Sequence, residues 1–245
     1  TERGPVFCNL LLADEINRAP AKVQSALLEV MQERQVTIGL ETFKVPRPFL
    51  VMATQNPIES EGTYPLPEAQ VDRFMMKVLV DYPGLGEELL VVQRSLQPQA
   101  EVQRILTIDQ LEQYQRIAAD LFVDRAVAQY AITLVDATRK PGKYGLSEHE
   151  AHIAFGSSPR GSINLVHAGR ALALLRGRRY VLPGDIHDLA KDVLRHRLVL
   201  TYDALADDVK ADTVIGRIMQ TVALPQVNAI PQQGHSVPPV GASTR

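Results

Sequence analysis

Two adjacent carboxylates, Asp14 and Glu15, close the apolar run from Phe7 to Ala13. A carboxylate at a strand end can hold Mg²⁺, usually through water, and a second can polarise a water molecule for attack on a phosphoryl group. The pair could equally be two solvated charges, because strand ends are often polar. The uninterrupted apolar run is typical of a strand buried on both faces of a sheet. Asp14 is therefore a candidate metal ligand and Glu15 a candidate catalytic carboxylate.

A second apolar run, Phe49 to Thr54, leads directly to Asn56. If the two strands are parallel, their carboxyl ends meet at one edge of the sheet, where ligands bind. An amide there could hold the attacking water or contact a γ-phosphate, although an Asn-Pro turn explains Asn56 equally well. This layout is that of the Walker B strand of a P-loop nucleotidase. However, the sequence contains no G-x-x-x-x-G-K-[ST] motif, so it predicts an ATPase site without the phosphate cradle.

Two arginines are further candidates. Arg73 precedes a third apolar run, Phe74 to Val80, which we expect to be a strand. Its guanidinium could reach a phosphate, or it could form a weak surface pair with Asp72. Arg160 comes just before a predicted helix, where the helix dipole disfavours a cation. That placement favours a role with a bound anion over a plain loop arginine.

The spacing of apolar residues predicts two domains and a tail. Up to residue 83, strands alternate with helical segments, which predicts an α/β domain with a largely parallel sheet. It includes a helix over Ala21–Glu33 with Val23, Ala26, Leu27, Val30 and Met31 on its apolar face. It also includes a β-hairpin near Gln35–Val45. Residues 84–224 show helical spacing throughout and predict a separate all-helical domain. Residues 225–245 are proline-rich and predict a disordered or extended tail.

The composition excludes several classes of protein. The chain has 245 residues, 45% of them hydrophobic, and a net charge of −2, which is ordinary for a globular protein and too acidic for a typical nucleic-acid binder. Its single cysteine excludes an intrachain disulfide and favours a reducing, cytoplasmic compartment. No apolar run is long enough to span a membrane. The chain starts almost directly on a core strand, so we expect its upstream part to be missing.

Three segments together closely resemble the MoxR family of AAA+ ATPases over about residues 4 to 200: LLLADEINRAP, MATQNPIESEGTYPLPEAQVDRF and SPRGS. The resemblance implies a partial P-loop AAA+ core followed by a helical lid domain. It implies that Asp14 and Glu15 are the Walker B pair and that Glu15 is catalytic. It further implies that Asn56 is sensor 1, that Arg73 is the arginine finger offered to a neighbouring subunit, and that Arg160 is sensor 2. The hairpin would be the one that precedes sensor 1.

The same resemblance implies a function. It implies ATP and Mg²⁺ as cofactors, with Asp14, Glu15, Asn56 and Arg160 at the nucleotide. It implies a ring, typically a hexamer, that remodels client complexes such as maturing metalloenzymes, sometimes with von Willebrand A domain partners. The family's phosphate-binding loop would lie before Thr1, so we expect this chain alone to bind ATP weakly or not at all. Two alternatives stay open: a non-catalytic scaffold or interaction module, and an activator of transcription or replication. The acidic balance and the absence of a recognition-helix motif disfavour the activator.

Overall fold

A computed structural model describes residues 4–56, 62–98 and 101–227. Its strands are β1 (Leu10–Ala13), β2 (Gln35–Ile38), β3 (Glu41–Lys44), β4 (Leu50–Ala53), β5 (Ile153–Phe155) and β6 (Val199–Leu200). Its helices are α1 (Ala21–Glu33), α2 (Glu68–Val71), α3 (Leu85–Ser95), α4 (Ile108–Asp120), α5 (Arg125–Arg139), α6 (Pro159–Leu175), α7 (Pro183–Leu194), α8 (Tyr202–Ala206) and α9 (Ala211–Thr221). Most of the predicted segments are present. The proposed tail lies mainly outside the described residues.

The strands β1 and β4 pair in parallel, with Leu10 opposite Leu50 and Ala13 opposite Ala53. The chain crosses from one to the other through α1 and the β2–β3 hairpin. That hairpin is antiparallel and turns at Gly39, whose positive φ of 65° suits a residue without a side chain. The predicted α/β class with parallel strands is therefore confirmed, and both strands end at the same edge.

One face of the β1–β4 pair differs from the prediction of burial on both faces. Leu10, Leu12, Leu50 and Met52 are each more than half exposed. Successive residues of a strand point to opposite faces, so these four side chains form one apolar surface. Within the described ranges, residues of the opposite face such as Leu11 are partly buried. The run is apolar on both faces, but no described element covers the face formed by these four side chains.

The predicted third strand, Phe74 to Val80, is wrong: this segment is irregular. Its backbone groups form hydrogen bonds with Asp192 and Arg197 instead of with a neighbouring strand. The carbonyl of Phe74 accepts a 2.5 Å hydrogen bond from Arg197 Nη2, and the amide of Lys77 donates to the carbonyl of Asp192 at 2.8 Å. These bonds satisfy the polar backbone that a sheet would otherwise pair.

The helix α1 has its predicted bounds, but its buried face is rotated from the predicted one. The buried residues are Gln24, Leu28 and Val30, whereas Val23 is 53% exposed. The prediction chose the most apolar stripe and therefore passed over Gln24. A buried amide needs hydrogen-bond partners, and those that Gln24 finds belong to the candidate site.

The apolar core lies in the helical part, which we define as residues 107–222. Buried side chains from α5, α6, α7 and α9 form one cluster. Helices α6 and α7 approach closely at Gly169, where a Cβ atom would lie 2.7 Å from Ile186 Cδ1. The expected all-helical character needs one amendment, because β5 and β6 form a short antiparallel pair within this part. None of the helices described combines the length and the apolar character needed to cross a membrane.

We predict that Leu165→Ala destabilises this core. Leu165 is fully buried in α6, so its truncation removes apolar burial and leaves a cavity, at a cost of about 2–5 kcal/mol. The control is Ile163→Ala on the same helix, where the side chain is 54% exposed and the change should stay within about 0.5 kcal/mol. Urea unfolding followed by circular dichroism measures both. Equal losses of unfolding free energy in the two variants would show that Leu165 contributes no more to the core than the exposed Ile163.

Candidate nucleotide site at the strand ends

Thr54 joins the ends of β1 and β4. Since Ala13 lies opposite Ala53, the next residues of the two strands, Asp14 and Thr54, stand side by side. Thr54 Oγ1 donates a 2.5 Å hydrogen bond to Asp14 Oδ1 and accepts one of 2.8 Å from the Glu15 amide. We call this arrangement the strand-end junction. It brings the predicted acid pair directly against the strand that carries Asn56.

Glu15 adopts a left-handed backbone conformation, with φ 47° and ψ 52°. For a residue with a side chain this costs about 1–2 kcal/mol, and such conformations concentrate at functional sites. The turn redirects the chain into a 3₁₀ segment, Ile16–Arg18. The Glu15 carboxylate contacts Arg18 Nε at 2.9 Å, and both side chains are more than a third exposed, so the pair contributes little stability.

Two amide side chains hold the loops around the junction. Asn17 Nδ2 lies 3.5 Å from the carbonyl oxygen of Asn56, which links the segments beyond the two strands. The buried Gln24 contacts three carbonyls with its Nε2, at 3.2 Å for Ile16, 3.0 Å for Ala19 and 2.9 Å for Tyr64. The sequence carries only a weak signal for this role, a glutamine three and four residues before Leu27 and Leu28 of α1.

A cleft of about 640 Å³ lies between the segments that follow β1 and β4 and the helical part, and the junction residues Asp14, Glu15 and Thr54 do not line it. Asn17 and Asn56 line one side, and Arg195 and His196 of the helical part line the other, together with Lys77. Polar groups from both sides therefore face one space. A ligand in this cleft could contact the end of β4 and the helical part together.

The two candidate arginines lie apart from the acid pair. Arg73 Nη1 donates a 2.6 Å hydrogen bond to Gln32 Oε1 rather than pairing with Asp72, as the weak surface alternative supposed. Arg160 lies inside the first turn of α6, not before it, and binds Asp72 Oδ2 at 3.2 Å. No hydrogen bond or ion pair joins either arginine to Asp14 or Glu15 in the ranges described. The structure thus brings Asp14 and Glu15 together with Thr54 at the strand ends, two residues before Asn56, and pairs the two arginines with Gln32 and Asp72.

Asp72 ties the segment next to Arg73 to the helical part. Its carboxylate accepts hydrogen bonds from Ser158 Oγ at 2.9 and 3.0 Å and lies 3.1 Å from Arg197 Nε. The Arg197 side chain is fully buried, and burial lowers the pKa of its guanidinium while the nearby Asp72 charge opposes this shift. Arg197 also donates to the carbonyl of Asp72 at 3.0 Å. These contacts of Asp72 have no local sequence signal, because Ser158 and Arg197 lie more than 80 residues away along the chain.

Several basic residues of the helical part are paired with carboxylates. Arg176 and Arg178 both bind the fully buried Asp185, with N···O distances of 2.8 and 2.5 Å. Burial alone would raise the pKa of Asp185, but the hydrogen bonds from Arg178 and from the Leu182 amide outweigh it and hold the pKa below its usual value. These arginines therefore stabilise the contact between α6 and α7 rather than forming a free cationic surface.

Family models match both parts of the chain. Residues 1–76 match the ATPase family associated with various cellular activities (AAA), and residues 146–218 match the AAA lid domain. The first match contains Asp14, Glu15, Asn56 and Arg73, and the second contains Arg160. Both halves of the candidate site therefore fall within segments typical of AAA proteins.

Individual proteins are similar over nearly the whole chain. Chaperone MoxR1 of Mycobacterium tuberculosis is 60% identical over 98% of the chain, which spans 64% of that protein. Uncharacterized protein YeaC of Bacillus subtilis is 42% identical over 91% of the chain and 67% of its own length. A crystal structure from Cytophaga hutchinsonii superimposes with a TM-score of 0.88 at 46% identity, over 92% of this chain and 69% of that one. The sequence similarity and the structural similarity thus both extend over nearly the whole chain.

We predict that Asp72→Asn destabilises the chain by roughly 3 kcal/mol, because it leaves the buried Arg197 charge without its counter-ion. Chemical denaturation at neutral pH measures the change. The exposed Asp81→Asn serves as the matched control and should leave the free energy of unfolding nearly unchanged. Wild-type stability in Asp72→Asn would show that the network around Asp72 contributes nothing.

His196 should make stability depend on pH. Burial, reinforced by the Arg197 charge, lowers the pKa of His196 to about 4, whereas the unfolded histidine titrates near about 6.5. As the pH falls from about 6.5 to about 4, the unfolded chain binds a proton that the folded chain excludes, so stability is lost. Between pH 7.5 and 5.0 wild type should lose about 2 kcal/mol more than His196→Gln.

Urea titrations at the two pH values measure this difference. The control His167→Gln alters an exposed histidine and should keep the wild-type pH dependence. If His196→Gln also keeps it, then His196 is already protonated in the folded chain at pH 5.

Proposed function

The chain belongs to the MoxR family of AAA+ ATPases, and we propose that the protein containing it hydrolyses ATP to remodel or assemble client protein complexes. The observation that carries this proposal is the strand-end junction, where Asp14 accepts a 2.5 Å hydrogen bond from Thr54, two residues before Asn56. Carboxylates and an amide at one edge of a parallel sheet suit phosphoryl transfer, in which catalysis is mostly positioning and electrostatics.

The junction residues divide the chemistry between them. Glu15 orients and polarises the attacking water and accepts its proton, which requires the carboxylate to leave Arg18. Asn56 would use its amide to hold that water or the γ-phosphate. Asp14 would hold the metal ion, through water. The contact of Asp14 with Thr54, two residues before Asn56, supports these roles.

The two candidate arginines, Arg73 and Arg160, lie outside the strand-end junction. We propose that Arg73 reaches the nucleotide of a neighbouring subunit, where an arginine supplied in trans contributes about 10³–10⁵ in rate in related nucleotidases. Arg160, in α6 of the helical lid, would bind a phosphate group of the nucleotide. Both guanidinium groups have protein partners here, Gln32 and Asp72, which phosphate oxygens would have to replace.

The residues at the junction fit Mg²⁺ as the metal. Carboxylate oxygens are its preferred protein ligands, and it usually takes only one or two of them, with the rest from phosphate and water. The described parts of the chain contain no group of three or more histidine, cysteine or acidic residues that could hold a metal. The carboxylates at the junction therefore suit a metal ion that binds together with a nucleotide and neutralises the charge of its phosphates.

The phosphate cradle decides how this chain can be tested. Its sequence has no glycine-rich Walker A motif, so we expect the chain alone to bind ATP weakly or not at all. A second candidate function is a non-catalytic scaffold that uses only the lid and the subunit interfaces. Calorimetric titration with Mg-ATP distinguishes the two when it is made on the longest natural reading frame that contains this chain.

The assembly and its partners are also proposals. We propose a ring, with six subunits as the expected number, in which the ATP lies between neighbours and Arg73 completes the site. Client complexes would include metalloenzymes that need cofactor insertion, and von Willebrand A domain proteins are candidate partners. The single cysteine supports a cytoplasmic location, which stays a prediction.

We predict that Glu15→Gln, in that longest reading frame, lowers ATP turnover by about 10²–10⁴ and leaves ATP binding intact, since an amide accepts no proton from water. Phosphate release measures turnover, and binding of a fluorescent ATP analogue measures affinity. Glu29→Gln, on the exposed side of α1, is the matched control and should behave as wild type.

ATP turnover at the wild-type rate in Glu15→Gln would show that Glu15 does not accept the proton of the attacking water. A wild-type protein without any Mg-ATP binding would favour the scaffold.

A further inference from the structure

We propose that Thr54 is a positioning residue for the acid pair: its hydroxyl orients the Asp14 carboxylate and fixes the backbone that presents Glu15. This inference rests on the proposed ATPase function and deepens it. The sequence had suggested Asp14, Glu15 and Asn56 as functional residues but had assigned nothing to Thr54. The structure places its side chain between the two strands that carry them.

The hydroxyl of Thr54 uses its proton and one lone pair on the acid pair. A hydroxyl has one proton and two lone pairs. The proton goes to Asp14 Oδ1 at 2.5 Å, a short distance typical of a hydrogen bond to an ionised carboxylate, and a lone pair accepts the Glu15 amide at 2.8 Å. One oxygen atom therefore sets both the rotamer of Asp14 and the direction of the chain at Glu15. With Oδ1 held by Thr54, Oδ2 would be the carboxylate oxygen that holds Mg²⁺ through water.

The backbone of Thr54 supports the same geometry. Its amide donates to the carbonyl of Ala13 at 3.0 Å, and its carbonyl accepts the amide of Ile16 at 3.0 Å. Together with the hydroxyl, these contacts bracket Glu15 on both sides. A left-handed conformation at a residue with a side chain persists only where its surroundings determine it, and Thr54 supplies these surroundings.

The role depends on the hydroxyl rather than on packing. Thr54 is exposed, so replacing its hydroxyl by a methyl group of the same shape opens no core cavity. Thr54→Val keeps the shape and the preference for a strand but loses both side-chain hydrogen bonds. Thr54→Ser keeps the hydroxyl. Thr37→Val is the matched control, because it removes an exposed hydroxyl from the hairpin, where its partner is Thr42 at 3.2 Å.

The test measures ATP turnover against Mg²⁺ concentration in the longest natural reading frame that contains this chain. Residues that orient metal ligands typically contribute 10–100-fold to metal affinity or activity. Thr54→Val should therefore raise the half-saturating Mg²⁺ concentration or lower kcat by about 10–100-fold, with a thermal midpoint close to that of wild type. Thr54→Ser should restore most of the loss, and Thr37→Val should match wild type. If Thr54→Val does not fold, Thr54→Ala replaces it.

The outcomes separate the two proposals. A wild-type protein with no ATPase activity would overturn both the proposed function and this inference. An active wild type whose Thr54→Val variant keeps the wild-type kcat and Mg²⁺ dependence would overturn this inference alone. A loss that Thr54→Ser fails to restore would show that the methyl group, not the hydroxyl, matters, and would also overturn it.

Discussion

The parallel pairing of β1 with β4 is the constraint on which the candidate site depends. Its register sets Ala13 opposite Ala53, and from that single relation Asp14 and Thr54 become neighbours at the sheet edge. A slip of one residue would move every side chain of a strand to the other face and would separate the hydroxyl from the carboxylate. The acid pair is thus placed by backbone hydrogen bonds rather than by its own charges.

A second constraint connects this sheet edge to the helical lid. The buried Arg197 and the carboxylate of Asp72 join the lid to the residue next to Arg73, and Ser158 and Arg160 at the start of α6 bind the same carboxylate. Removing one partner from such a network leaves an uncompensated charge, so the partners hold each other in place. The proposed sensor 2 arginine, Arg160, therefore binds Asp72 directly, whereas the proposed arginine finger, Arg73, is only its neighbour in the chain and binds Gln32. A change in the position of the lid would alter the Arg160 contact directly and could affect Arg73 only through the backbone.

The sequence was informative where the signal was local. The apolar runs, the spacing of α1 and the carboxylates at a strand end identified β1, β4 and the acid pair. It failed where the signal was long-range: Phe74 to Val80 has the composition of a strand, but its carbonyls bind Arg197, more than 120 residues away. Gln24 was overlooked, and Asp72 was considered only as a surface partner of Arg73, for a similar reason: a buried polar residue can be recognised only when its partners are known. Thr54 could have been found, because parallel register from Asp14 leads to it.

The decisive experiment is a crystal structure of the longest natural reading frame containing this chain, with Mg²⁺ and a non-hydrolysable ATP analogue. We predict the metal within one water molecule of the Asp14 carboxylate. We also predict the Asn56 amide within about 3.2 Å of the γ-phosphate or of the attacking water. A nucleotide bound away from the ends of β1 and β4, or an Asp14 carboxylate turned from the metal, would contradict the proposed site.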